Sequence, residues 1–148
     1  MNKNTVLILC TGNSCRSQMA EALINCYMGD TWTAFSAGTA PAGYVHPLAM
    51  RALDALGMDL NKLRSKDVEE FRGQTFDAVI TVCDDAAENC PVWLGEGKVV
   101  HIGFPDPAKF EGSEAEQFNE FRRVRDAIRQ RVFAFLKEYE KSGYAVSH

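Results

Sequence analysis

Apolar and polar positions follow two different periods along this chain. Thr5-Val6-Leu7-Ile8-Leu9 is a continuous β-branched and aliphatic run, the pattern of a strand covered on both faces of a parallel sheet. From about Gln18 the period lengthens. Met19, Leu23 and Tyr27 recur at helical spacing, Ala20 and Ile24 sit beside them, and Gly29 ends the segment. Residues 32–36 read as a second strand closed by Ala37-Gly38, and 39–46 as a loop. A helix follows Pro47, with Ala49, Ala52, Leu53 and Leu56 inward and Gly57 as its stop. Residues 59–72 are polar, with a short helix expected over 67–71. Residues 76–82 and 98–102 read as the third and fourth strands. Ser113 and Glu116 have capping-box spacing and open the longest helix, whose inner stripe is Phe118, Phe121, Val124, Ile128, Val132 and Phe135.

Strands alternating with helices predict an α/β fold, a single-domain doubly wound sheet of four parallel strands flanked by helices. One domain is expected over 1–148, with 142–148 as a frayed tail. In such sheets ligands sit beyond the carboxyl ends of the strands. Cys10, Cys83 and Asp106 each follow a predicted strand, so right-handed crossovers bring all three to one rim.

Composition narrows the function classes. A net charge of −4 argues against a nucleic-acid partner, which calls for a basic footprint. The run at 6–9 is too short to span a bilayer and no signal-peptide pattern appears, so a cytosolic protein without a membrane partner is expected, as a monomer. Five cysteines, at 10, 15, 26, 83 and 90, are an odd count at irregular spacing. In a reducing compartment that indicates catalytic or redox chemistry. Cys26, on the flank of the first helix, is expected to pack in the core.

The densest chemistry lies in Cys10-Thr11-Gly12-Asn13-Ser14-Cys15-Arg16-Ser17, directly between the first strand and the first helix. Strand, small-residue turn and helix N-terminus together make an oxyanion site, with backbone N–H groups converging and the helix dipole favouring negative charge. Gly12 permits close approach of an oxyanion, and Asn13 tolerates a left-handed turn. Arg16 offers a planar fork for two oxygens, and a positive environment favours the attacking thiolate of Cys10. A buried structural Cys10 is the plainer alternative; the flanking strand and helix weigh against it.

Two further groups belong to the same rim. If the segment Cys83-Asp84-Asp85-Ala86-Ala87-Glu88-Asn89-Cys90-Pro91 is helical, with Asp84 or Asp85 as its cap, seven steps separate the two cysteine Cα atoms by roughly 10 Å. A disulfide needs about 4.4–6.8 Å, so the pair joins only if the segment unwinds or loops, as a switch. Two unpaired core cysteines or half a zinc site are the alternatives, though His46, His101 and His148 lack ligand spacing. Asp106-Pro107 is either a surface turn or, facing the loop, a general acid for a departing oxygen.

The Cys-x5-Arg loop resembles that of the low-molecular-weight tyrosine phosphatase fold. The string from Cys10 to Glu21, with Ser36-Ala37-Gly38, Asp106-Pro107 and the run from Glu120 to Asp126, is more similar to one branch, the thioredoxin-coupled arsenate reductases. That resemblance implies the following roles. Cys10 attacks arsenate while Asp106 protonates the departing hydroxyl, and Cys83 displaces arsenite. Cys90 then captures Cys83 in a disulfide presented to thioredoxin. No bound cofactor is implied, and phosphate and sulfate are competing oxyanions. The oxyanion is held by residues 11–17 (Thr11, Gly12, Asn13, Ser14, Cys15, Arg16 and Ser17). Some members of the branch steady this loop with potassium held by Asn13, Glu21, Ser36 and an aspartate. Here Lys66 stands near the aspartate's place, and its ammonium is expected to replace the metal.

One pocket can hardly reject either arsenate or phosphate by binding alone. An arsenic–sulfur adduct, however, can be broken by a thiol with transfer of two electrons. A neighbouring thiolate makes that step effectively intramolecular. The rival enzyme is a phosphotyrosine phosphatase using Cys10, Arg16 and Asp106 alone; phosphatases of this fold usually place an aromatic residue after Asp-Pro, where Ala108 and Lys109 stand. The non-enzyme alternative is an anion-binding redox sensor. Glutaredoxin with glutathione is the alternative electron donor.

Overall fold

The computed structural model describes residues 3–84, 95 and 97–142. Its strands are β1 (Asn4–Cys10), β2 (Trp32–Gly38), β3 (Ala78–Thr81) and β4 (Lys98–His101). All pair in parallel, in the order β2-β1-β3-β4. The helices are α1 (Arg16–Tyr27), α2 (Pro47–Asp54) and α3 (Glu114–Lys141), with one-turn 3-10 helices at Val68–Phe71 and Pro107–Lys109. β1 carries the continuous apolar run as one of the two interior strands, hydrogen-bonded on both sides like β3. Leu9 pairs with Ala37 of β2 and with Thr81 of β3. The strand order reverses direction at β1, so the crevice of the fold opens at the carboxyl ends of β1 and β3.

The two faces of the sheet are filled differently. Val6, Ile8, Ala78 and Ile80 join one apolar cluster with Met19 and Leu23 of α1, Leu53 of α2, and Ile128 and Val132 of α3. On the opposite face Leu7, Leu9 and Val79 meet Phe71 and Phe76. Each fully buried aliphatic side chain contributes about 1.5–3 kcal/mol relative to exposure, so this packing holds β1 firmly beneath the loop that follows it. Among the described residues no helix is long and apolar enough to cross a membrane.

Several boundaries and packing positions differ from the sequence pattern. α1 begins at Arg16 rather than Gln18, and β3 is shorter than 76–82. In α3 Phe121, Val124, Ile128 and Val132 are buried, whereas Phe118 and Phe135 lie at the margin and Leu136 and Tyr139 complete the stripe. At about 100° per residue, a four-residue step from Val132 drifts about 40° and a three-residue step about 60°. Leu136 therefore stays nearer the core line than Phe135. Tyr27 is half exposed, with the Arg129 guanidinium 4.2 Å from its ring centroid. Cys26 is exposed, not in the core, because α1 turns its last turn toward solvent beyond Ile24.

Candidate active site

Cys10 ends β1 and Arg16 begins α1, so the five intervening residues must turn within one short loop. Asn13 takes that turn at φ 49°, the only non-glycine residue with positive φ among those described. Its amide makes the loop rigid. Oδ1 accepts from Lys66 N at 2.7 Å and from Gln18 Nε2 at 2.9 Å, and Nδ2 donates to Ser17 Oγ at 2.8 Å. The loop carbonyls are held from outside: Ala40 N donates to Thr11 O, Ala42 N to Gly12 O and His46 N to Ser14 O, at 2.9–3.0 Å. In planar trans peptides this turns the N–H groups of Gly12, Asn13 and Cys15 away from the 40–46 segment. No side chain caps α1, and its first turn carries no acid. Its N-terminus is thus suited to an external anion.

Gly38 is what lets β2 press against this loop. A Cβ there would fall 2.3 Å from Thr11 O and 2.9 Å from Cys10 O. At Gly12, by contrast, a Cβ would meet only Ser14 Oγ at an ordinary 3.6 Å, so the loop itself does not demand glycine there.

A cavity of about 220 Å³ lies over the loop, lined by Cys10, Thr11, Gly12, Ser14, Cys15, Arg16, Asp106 and Lys109. That is below the roughly 300–1,000 Å³ of sites for drug-sized ligands and suits a small oxyanion. Cys10 Sγ lies 3.0 Å from Ser17 Oγ. Because Ser17 Oγ already accepts from Asn13, its own proton is available to the sulfur. Asn13 and Ser17 are fully buried and their side chains support the loop; neither lines the cavity. Arg16 Nη1 donates to Phe104 O at 3.0 Å, and Nη2 lies 3.7 Å from Asp106 Oδ2. Asp106 Oδ1 accepts from Ala108 N at 3.0 Å, which caps the 3-10 helix at 107–109. Sequence reasoning passed over Lys109 as a site residue; its place beside Asp106 in that one turn was the signal available.

Cys15 shares the cavity wall but not the chemistry. Burial pushes its thiol up from 9.0 to about 12, with the charges of Asp106 and Cys10 adding to the rise and Ser14 and Arg16 opposing it. Folding therefore favours the neutral thiol. The stabilising contribution is complete below pH 9 and is lost as pH climbs toward 12, where the unfolded chain holds fewer protons than the folded one. At pH 8 iodoacetamide is expected to label exposed Cys26 and leave Cys15 intact, read by peptide mass spectrometry. Between pH 9 and 12 the stability of Cys15→Ala should fall less steeply than that of the parent chain.

Behind the loop, Lys66 is buried with Glu21 and Ser36. Its Nζ donates to Arg64 O at 2.9 Å, to Glu21 Oε1 at 3.3 Å and to Ser36 Oγ at 3.4 Å; Ser36 Oγ donates to the same Glu21 oxygen at 2.7 Å. The ammonium stands where a monovalent cation would have to lie between that carboxylate and that hydroxyl. These residues do not fit a potassium ion. Nor do the described residues contain a cluster of three His, Cys, Asp or Glu side chains able to hold a metal.

Cys83 follows β3, is fully buried, and joins the apolar cluster that contains Cys10 and Cys15. It does not line the cavity. It is disulfide-bonded, whereas Cys10, Cys15 and Cys26 are free. Cys90 and Asp85, and with them the helix expected after Asp84, lie outside the described residues, as does the tail beyond Ser142.

Over residues 5–145 the chain matches the model of the low molecular weight phosphotyrosine protein phosphatases. It belongs to that family. Within the family the arsenate reductases are its near relatives. One from Halalkalibacterium halodurans is 44% identical, covering 93% of this chain and 98% of the relative. One from Bacillus subtilis is 41% identical over 97% and 99%. Among solved structures, a Corynebacterium glutamicum thioredoxin-dependent arsenate reductase superposes with a TM-score of 0.69 at 25% identity. That match takes in 95% of this chain and 63% of the Corynebacterium chain.

Proposed function

We propose that this chain reduces arsenate to arsenite by a relay of three cysteines, drawing electrons from thioredoxin. The Cys10 thiolate attacks arsenic(V) held by the loop amides and Arg16, and Asp106 gives a proton to the departing hydroxyl, which leaves as water. The Cys83 thiolate then attacks Cys10 Sγ. A Cys10–Cys83 disulfide forms, the sulfur–arsenic bond breaks, and its electron pair stays on arsenic, which departs as arsenite. Cys90 attacks Cys83 next, freeing Cys10 and leaving a Cys83–Cys90 disulfide. An external dithiol, thioredoxin in this reading, returns two electrons and two protons.

The observation that carries the reading is the division among the cysteines. Cys10 is free at the floor of a cationic cavity, while Cys83 of the neighbouring strand end is already in a disulfide. With Cys10, Cys15 and Cys26 free, Cys90 is the partner the reading assigns, and the chain is then in the state that awaits reductant. Thioredoxin suits a chain of a reducing compartment, although glutaredoxin with glutathione attacks exposed disulfides too. The test is arsenite production with each donor system in parallel. Turnover with thioredoxin is expected, and its absence with both donors would defeat the proposal.

Hydrolysis of aryl phosphates is the second reading, favoured by the Cys10–Arg16–Asp106 arrangement, which is sufficient for it. Lys109 at the mouth offers a charge where a tyrosine ring would want an apolar wall, so this activity is expected to be weak. For the loop we assign Lys66 the part of a resident cation, its ammonium held by Glu21, Ser36 and the Arg64 carbonyl and its main-chain N–H tied to Asn13.

A further inference from the structure

Residues 103–106 are where three parts of the site meet. Phe104 N donates to Val82 O at 3.1 Å, next to Cys83. Phe104 O accepts from Arg16 Nη1 at 3.0 Å. Gly103 lies so close to Cys83 that a Cβ on it would come 3.0 Å from Cys83 O. Two residues farther on is Asp106, whose carboxylate stands 3.7 Å from Arg16 Nη2. The segment therefore sets, in one stroke, the aim of the anion-gripping guanidinium and the position of the general acid.

Besides Arg16, a side chain of α3 holds it. Arg131, on α3, donates from Nη1 to Gly103 O at 2.9 Å, and its guanidinium lies 4.8 Å from the centroid of the Phe104 ring. One planar group thus takes a carbonyl by hydrogen bond and an aromatic face by cation–π contact. Phe104 is buried while Arg131 itself is exposed, so the contact contributes little core. Its effect falls on where 103–106 stands.

We infer that Arg131 is a positioning residue for the reaction: by clamping Gly103 and Phe104 it holds Asp106 and Arg16 in register over Cys10. The inference rests on the catalytic roles proposed above. Small displacements of a catalytic group are costly, about 10²-fold for 1 Å, and a general acid contributes about 10²–10⁴-fold in all. The demand on the acid depends on the leaving group, which gives a readout that stability alone does not move.

The experiment compares the parent chain with Arg131→Met and Arg131→Lys on two aryl esters. These are p-nitrophenyl phosphate, which departs readily, and phenyl phosphate, which needs its oxygen protonated; neither requires Cys83 or Cys90. For Arg131→Met, kcat/KM on phenyl phosphate should fall about tenfold and on p-nitrophenyl phosphate by less than about threefold. Arg131→Lys, which keeps a donor but loses the plane, should recover part of that difference. Equal losses on both esters would mean a merely structural role, and no loss on either would mean no role; both overturn the inference. So would a parent chain inactive on both esters, because 103–106 would then have no acid to deliver. Failure of the reductase proposal is read separately, as absence of arsenite from the parent chain.

Discussion

Cys83→Ser is expected to reduce arsenite production with thioredoxin to background while leaving p-nitrophenyl phosphate hydrolysis within about threefold of the parent chain. The two activities part because they ask different things of the site. Ester cleavage uses the cavity, and Cys83 does not line it. Reduction needs a thiolate delivered to Cys10 from the same molecule. An intramolecular partner is equivalent to an effective concentration of about 10⁵–10⁸ M, some 7–11 kcal/mol of barrier, and millimolar free thiol cannot replace it. A serine oxygen can neither take up the Cys10 sulfur nor carry electrons outward. Retention of more than about a tenth of the turnover would remove Cys83 from the relay. The Cys90→Ser chain should instead stall with Cys10 joined to Cys83 after one turnover, visible in a non-reducing peptide map. Discovery of Cys10 joined to Cys15 there would contradict the order of steps, and the high thiol pKa of Cys15 argues against it.

Lys66→Met is the second large effect. With side-chain exposures of 8% and 11%, Lys66 and Glu21 form a buried ion pair. Removing one partner of such a pair costs about 3–5 kcal/mol, because the other charge is left desolvated. For a chain of this length that corresponds to a fall in Tm of roughly 10 °C. The main-chain N–H of residue 66 still reaches Asn13 in the variant, so the loss reports the ammonium and not the segment. A second signature separates replacement of a cation from ordinary stabilisation. The parent chain should be equally active in potassium and sodium chloride, and Lys66→Ala, which opens the space beside Glu21, should gain activity and Tm from potassium. Strong potassium-specific stimulation of the parent chain, or an unchanged Tm in Lys66→Met, would end the assignment.

Much of the site was legible because its signals are local. A β-branched run forces a covered strand, a helical period follows it, and the loop between them has to gather its amides around whatever sits above. The same holds for Ser113 and Glu116, whose reciprocal capping box is present at the start of α3. Asn13 in the left-handed region, at φ 49° in the turn between β1 and α1, is likewise a local feature. Errors arose where exposure depended on neighbours distant in sequence. Cys26 follows the helical period of α1 yet meets solvent, and Phe118 and Phe135 lost places in the core to Leu136 and Tyr139.

What the order of residues determined by itself is the chemistry on offer: a thiol at the end of a buried strand, an arginine six positions beyond it, and the turn types that join them. These depend on backbone geometry and helix ends, which act over a few residues. The tertiary structure alone decided which charges face each other. Lys66 reaches Glu21 across 45 positions and Arg16 reaches Phe104 across 88. Arg131 comes to Gly103 only because α3 returns over the sheet. Pairings of that reach follow from how apolar faces close upon one another, and the pattern of one segment carries no record of the segment that will cover it.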